Sequence, residues 1–250
     1  MNLSPKKTRL DNLIVSLGLI ESREKARALI LAGEVLVNGT RVSKAGTFIR
    51  ADAKIEVLQK NPYVGRGGLK LEGAIIDLKI DVKGRTAMDV GASTGGFTDC
   101  LLQHGAKKVY AIDVGYGQIA LKLRHDPRVV LMEKTNIRHL EQNAVRHKID
   151  LVTIDVSFIS LAKVLPKALE FLAPDGEIIA LIKPQFEAAR KDVGKGGVVR
   201  DEARRLEVIE RVKKDAARIG LETKGLVKSG LKGPKGNVEY FIRLRRPLDP

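Results

Sequence analysis

After residue 85 the chain alternates short apolar runs with amphipathic stretches. The runs at 86–90, 109–112, 129–132, 149–154 and 178–182 read as β-strands, and helical patterns lie between most of them. That alternation predicts a parallel sheet covered on both faces. A charged helix near 200–218 follows, then strands at 221–228 and 238–245 parted by Gly230 and Gly233-Pro-Lys-Gly236. The pair predicts a terminal hairpin that adds an antiparallel strand.

The first 58 residues follow a different pattern. Leu10, Leu13, Ile14 and Leu17 share one helical face, and Gly18 suits the left-handed residue after a helix end. Ser22 caps a second helix with Ala26, Leu29 and Ile30 on one face, stopped by Gly33. Val35-Leu-Val37, Asn38-Gly39 and Arg41-Val42 predict a hairpin, with further strand at Ile49 and 54–58. Pro62 and three glycines within 62–68 forbid a continuous helix. The expected division is a small α+β domain at 1–59, a linker at 60–68 and an α/β domain at 69–250. A helix over 69–77 would bury Leu71, Ala74, Ile75 and Leu78, with Lys70 in its first turn.

Composition narrows the function classes. The formal charge is +15, shared by residues 1–60 (11 Lys/Arg, 6 Asp/Glu) and the rest (34 and 24), which points to a polyanion such as nucleic acid. One cysteine, Cys100, excludes an intramolecular disulfide, and four histidines without metal-ligand spacing argue against a metal site. No run reaches the roughly 18 apolar residues of a membrane span, and no signal-peptide core is present, so a cytoplasmic location is expected.

Candidate chemistry gathers where the strands end. Asp89-Val-Gly-Ala-Ser-Thr-Gly-Gly-Phe97 reads as the glycine turn between a strand and a helix. Ser93 stands where a dinucleotide fingerprint has its second glycine, which weakens that reading. Asp113, ending the second strand, can accept from two ribose hydroxyls without a phosphate subsite, which suits S-adenosylmethionine. Asn136 follows the third strand and either meets the adenine or caps a loop. Asp155 and Lys183 end the fourth and fifth strands, as an ion pair or as a catalytic pair. Glu239 would join them from the terminal hairpin.

Two resemblances organise these residues. Residues 8–58, with two short helices and the Gly-x-Val-x-Val-Asn-Gly hairpin, resemble the S4-like RNA-binding domain; this implies that Arg9, Arg23, Arg27 and Lys44 position an RNA backbone. From about residue 60 onward the chain resembles the FtsJ-like ribose 2'-O-methyltransferases, and the two parts together resemble the TlyA, or haemolysin A, family of bacterial rRNA methyltransferases. The matching strings are Tyr63-Val-Gly-Arg-Gly-Gly-Leu-Lys-Leu71, Asp89–Phe97, Thr153-Ile-Asp-Val-Ser-Phe158, Leu181-Ile-Lys-Pro-Gln-Phe-Glu187 and Gly236-Asn-Val-Glu-Tyr240. Gly65 stands where the family string has serine.

The resemblance implies a Rossmann-like S-adenosylmethionine-dependent methyltransferase sheet behind the S4-like domain. It implies a catalytic tetrad of Lys70, Asp155, Lys183 and Glu239, and a cofactor site of Asp89, Gly91, Ala92, Ser93, Thr94, Gly95, Gly96, Phe97, Asp113 and Asn136. Arg66 joins the RNA-binding set, no metal is needed, and the implied substrate is a cytidine in 16S or 23S ribosomal RNA within ribosomal subunits. Two other readings are a non-catalytic RNA-binding assembly factor, which an intact glycine turn and tetrad argue against, and a membrane-lytic protein, for which no inserting segment is apparent.

Overall fold

The chain folds as two units, Met1–Asn61 and Pro62–Pro250, in a computed structural model that describes residues 7–31, 33–57 and 61–247. Leu58, the expected end of one strand, Gln59, the expected end of the first domain, and Lys60, the first linker residue, lie outside the described residues.

In the first unit β1 (Lys7–Arg9) leads into α1 (Leu10–Ser16), followed by α2 (Arg23–Leu31), β2 (Val35–Val37), β3 (Thr40–Arg41), β4 (Phe48–Arg50) and β5 (Ile55–Val57). β1 pairs with β4, and β2 lies between β3 and β5, all antiparallel. Leu10, Ile14, Ala26, Ile30, Val35 and Val37 form the core. Leu17, expected on the buried face, is exposed because α1 stops at Ser16 and Gly18 adopts a positive φ. Gly33 ends α2 the same way: its N–H bonds Ile30 and that of Glu34 bonds Leu29, which satisfies two carbonyls at the helix end.

The second unit starts earlier than expected. α3 (Arg66–Asp77) begins within the presumed linker, so Lys70 lies in the second turn, beyond the strongest part of the helix dipole. Gly67 and Gly68 are inside the helix because bulk is excluded there: a β-carbon at Gly68 would overlap the Tyr63 side chain. The segment before α3 is fastened too, since the Val64 N–H donates to Asp99 Oδ2 at 2.8 Å.

β6 (Thr86–Val90), α4 (Gly96–Gln103), β7 (Lys108–Ile112), α5 (Leu121–Arg124), β8 (Val129–Met132), β9 (Ile149–Ile154), α6 (Leu165–Phe171), β10 (Leu172–Ile182), α7 (Pro184–Glu187), α8 (Glu202–Arg218), β11 (Glu222–Lys228) and β12 (Tyr240–Arg245) complete the fold. The seven-stranded sheet runs β11-β12-β10-β9-β6-β7-β8; β12 is antiparallel to both neighbours and the other pairs are parallel. Alternate residues of each buried strand serve opposite faces. Met88, Val90, Val152, Ile154, Ile178 and Ile182 pack toward α6 and α8, whereas Ala87, Leu151, Ile179 and Leu181 pack toward α3 and α4. Among the described residues no helix is long and apolar enough to cross a membrane.

Candidate active site

Parallel pairing brings the ends of β6, β9 and β10 to one edge of the sheet, where ligands bind in open α/β folds. Asp155 directly follows β9 and Lys183 directly follows β10. Because β12 runs the other way, its first residue, Tyr240, pairs with Ile182, and Glu239 arrives at the same edge. α3 supplies Lys70. Lys183 Nζ lies 2.6 Å from Asp155 Oδ1, and Lys70 Nζ donates to Glu239 Oε2 at 2.6 Å. The Lys183–Asp155 contact is ionic rather than a well-angled hydrogen bond; the aligned bond from Lys183 goes to Ser157 Oγ at 3.0 Å. Both lysine side chains are 10% exposed and Glu239 is fully buried, so each charge needs its partner. Gln185 Nε2 approaches Glu239 Oε1 at 3.5 Å.

The glycine turn is built for close approach. Gly91 (φ +90) and Gly95 (φ +94) are in the left-handed region that glycine tolerates. A β-carbon on Gly91 would stand 2.5 Å from the Asp155 carbonyl oxygen, one on Gly95 would overlap Leu123, and one on Gly96 would stand 3.0 Å from the Gly68 nitrogen. Ser93 is also left-handed (φ +50), and its N–H donates to Asp113 Oδ2 at 2.7 Å. Gly65, the residue that replaces serine, is extended; a β-carbon there would come 2.8 Å from Thr94 Oγ1.

A cleft of about 890 Å3 opens at this edge, lined among others by Gly91, Ser93, Asp113, Asn136, Asp155, Ser157 and Phe158. A smaller recess of about 110 Å3 adjoins it, lined by Gly67, Gly91, Ala92, Ser93, Thr94, Gly96, Phe97 and Asp155. The larger volume is within the range of small-molecule sites. Asp113 accepts one backbone N–H on each oxygen, from Ser93 and from Gly115 (2.6 Å), which fixes its orientation and leaves a lone pair on each oxygen for hydroxyl donors. The open glycine cradle beside this carboxylate fits a nucleoside with free ribose hydroxyls. Among the described residues no group of three or more His, Cys, Asp or Glu side chains could hold a metal ion.

Three predicted cofactor residues are placed or engaged differently. Asp89 does not line the cleft. Strand alternation turns it toward α4, where it is fully buried and accepts from Thr98 Oγ1 (2.7 Å) and Thr153 Oγ1 (3.2 Å). Burial holds its carboxyl up at about 7, against an ordinary 3.8, despite these two donors. Asn136 lines the cleft but its side-chain oxygen is engaged as a cap, accepting from the Arg138 N–H at 3.1 Å. Gly95 shapes the start of α4 without lining either cavity.

Several residues that frame the site were not singled out from sequence. Glu187 accepts from Ser160 Oγ and from the Leu161 N–H, both at 2.7 Å, so it ties the turn after Lys183 to the loop after Asp155. Its carboxyl is raised, chiefly by burial. Phe158, 90% exposed and at φ +63, lies 4.8 Å from the Phe186 ring centre. Ser157, Gln185 and Glu187 all fall inside the quoted strings, and only their buried, hydrogen-bonded settings set them apart. Cys100 is buried and its thiol is pushed up to about 12, which leaves it unreactive.

The cations of the first unit are arranged as follows. Fully buried Asp11 accepts from Arg9 (Nε 3.1 Å, Nη2 2.9 Å) and from Arg23 Nε (3.1 Å), so the two guanidinium groups stand side by side. The guanidinium of Arg9 leads in holding the Asp11 carboxyl down at about 2. Arg9 also lies beside Gly46, where a β-carbon would approach its Nη1 to 3.1 Å, near the turn that carries exposed Lys44. Arg27 is exposed on α2, and Arg66 is exposed at the start of α3 in the second unit.

The FtsJ-like methyltransferase model matches residues 63–246 and the S4 domain model matches residues 8–55. The 16S/23S rRNA (cytidine-2'-O)-methyltransferase TlyA of Mycobacterium tuberculosis is 44% identical over 98% of this chain and 92% of its own length. Hemolysin A of Brachyspira hyodysenteriae is 45% identical over 93% and 98%. A solved Streptococcus thermophilus structure described as a hemolysin is 42% identical, covers 99% of this chain and 91% of its own, and superposes with a TM-score of 0.76. A Synechocystis magnesium protoporphyrin IX methyltransferase with bound SAM, at 15% identity over 72% and 80% of the two chains and a TM-score of 0.51, shares the fold alone. With an S4 domain in front of an FtsJ-like methyltransferase domain, matched along nearly its full length, the chain belongs to the TlyA, or haemolysin A, family of FtsJ-like methyltransferases.

Proposed function

We propose that the protein methylates the ribose 2'-oxygen of a cytidine in ribosomal RNA, with S-adenosylmethionine as methyl donor. The observation that carries the reading is the Lys183–Asp155 ion pair, 2.6 Å across, whose carboxylate partner Asp155 lines the cleft that the glycine turn opens. Relatives named as rRNA cytidine-2'-O-methyltransferases support the substrate, and the S4 match supports RNA as the partner.

S-adenosylmethionine, when bound, supplies an electrophilic methyl group on a sulfonium. Asp113 is suited to accept from its ribose hydroxyls, and Gly91 to Gly96 to admit its tail. Lys183, oriented by Asp155 and Ser157, steers the attacking 2'-hydroxyl, and it takes up the hydroxyl proton only as its ammonium cedes one of its own, for which Asp155 at 2.6 Å is the acceptor at hand. Lys70, neutralised by Glu239, adds a second oriented cation. Such a transfer depends mainly on alignment, which contributes up to about 7–11 kcal/mol in well-oriented systems. The test is transfer of tritium from labelled S-adenosylmethionine to ribosomal subunits, followed by mapping of 2'-O-methylation in both rRNAs of a deletion strain. No incorporation into either subunit would overturn the reading.

A further inference from the structure

Two basic, glycine-rich loops of the second unit are left over after the catalytic groups are assigned. One covers residues 190–200, after the Lys183 turn; the other covers 228–236, just before Glu239. Topology brings both to the ligand edge, because β10 ends there, β11 ends there at Lys228, and β12 begins there: Ile182 and Lys228 both pair with Tyr240.

The loops are fastened to each other and to the tetrad. Asn237, 3% exposed, accepts from the Val199 N–H at 3.2 Å and donates to the Gly197 carbonyl at 2.9 Å, and its own carbonyl accepts from the Gly233 N–H at 2.9 Å. Gly233 is pressed against the Glu239 carboxylate so closely that a β-carbon there would overlap it. Glu239 in turn holds Lys70. The loops therefore form a preassembled rim whose base is part of the catalytic group.

Its charge is unspent. Arg190, Lys195, Arg200, Lys228, Lys232 and Lys235 are all exposed, and among the described residues none takes part in an ion pair. On α8 the opposite holds, with Arg204, Lys213 and Arg218 each paired to a carboxylate three residues away. The one acid within the two loops, Asp192, faces Arg204 at 3.7 Å. Exposed cations outside any ion pair, on backbone kept bare by glycine, suit a chain of phosphates.

We propose that this rim grips the sugar-phosphate backbone of the RNA beside the target nucleotide, separately from the S4 domain. The proposal rests on the RNA-methyltransferase reading. The test uses the full chain with Lys195→Glu, Lys232→Glu and Lys235→Glu combined, against wild type and a Lys213→Glu/Lys214→Glu control on α8. The rim variant should raise KM for rRNA at least tenfold. It should also flatten the plot of log affinity against log salt by about two, from three lost contacts at about 0.7 each. Affinity for S-adenosylmethionine and the melting temperature should stay as in wild type, and the control should keep the wild-type KM and salt slope even though reversing Lys213 breaks its pair with Glu210. Asn237→Ala should raise KM without changing charge; should it also lower the melting temperature, the charge-reversal variant decides. Unchanged KM and salt slope in the rim variant, an equal loss in the control, or lost binding to phosphatidylglycerol vesicles with RNA binding intact would each overturn the proposal. Because RNA affinity is measured apart from methyl transfer, a wild type that binds RNA but transfers no methyl group would sink the enzyme reading while the salt slope still reports on the rim.

Discussion

Gly91 and Asp155 are packed backbone to backbone: a β-carbon on Gly91 would stand 2.5 Å from the Asp155 carbonyl oxygen. The turn that shapes the cleft and the strand end that carries Asp155 are therefore one mechanical unit. Gly91→Ala combines this overlap with a left-handed backbone that costs about 1–3 kcal/mol for other residues. Calorimetric titration with S-adenosylmethionine and a thermal melt should show cofactor affinity and stability falling together, with methyl transfer lost as well.

Lys183→Ala should separate binding from chemistry. Its side chain contacts Asp155 and Ser157, and it is not among the residues lining either cavity. Methylation should drop about 100- to 10,000-fold while S-adenosylmethionine affinity stays within a factor of about two. Single-turnover transfer at saturating RNA measures this, and turnover near the wild-type rate would remove Lys183 from the mechanism.

Asp89 predicts a pH dependence of stability. Its folded-state pKa of about 7 lies above the ordinary 3.8, so between these values the native state holds a proton that the unfolded state has lost. The contribution is full below about 4 and lost as pH rises through 7. Wild-type stability should decline by up to a few kcal/mol across pH 4–7 relative to Asp89→Asn, which cannot ionise. Urea denaturation of both proteins at several pH values checks the sign; parallel curves would show that Asp89 does not titrate there.

Asp11 predicts the opposite sign at lower pH. Its pKa of about 2 lies below the ordinary 3.8, so its contribution is present above about 4 and fades as pH falls toward 2. Asp11→Asn should lack that acid-side loss. Filter binding should also show weaker RNA affinity at neutral pH, since Arg9 and Arg23 lose the carboxylate that aligns them, with S-adenosylmethionine affinity unaltered.

Glu187→Ala should strand the buried Leu161 N–H and free the loop after Asp155, at a cost of about 1–3 kcal/mol. Glu187→Gln keeps one acceptor oxygen and should recover most of the stability. Turnover should fall in the alanine variant more than KM rises, because the loops after Asp155 and Lys183 lose their common tie. Steady-state kinetics of both variants separates this from a purely structural role.

The sheet was legible because buried parallel strands announce themselves as apolar runs, and the strings around Asp155, Lys183 and Glu239 marked side chains that the fold brings to one edge. The same continuity hid which face each residue serves. Asp89 ends such a run, and only strand alternation in the folded sheet shows that it points at α4 instead of the cleft. β10 starts at Leu172 rather than near 178, since its first half contains Pro174 and Gly176 and crosses a register shift against β9. The start of α3 was missed for a related reason. Gly67 and Gly68 read as helix breakers, yet they are helical because Phe97 and Tyr63 occupy the space their side chains would need. Asn237 had no local signal, because its partners lie about forty residues earlier.

The position of β12 governs when activity can appear during synthesis. Residues 62–182 contain five strands of the sheet, but β10 keeps a bare edge until β12 has been made and inserted between it and β11. An unpaired apolar edge is an invitation to pair with other chains. Glu239, the partner of Lys70, arrives with that same closing strand. A nascent chain that stops short of Glu239 would carry an open edge and an unmatched buried lysine. Closure of the sheet edge and the pairing of Lys70 thus come in a single step.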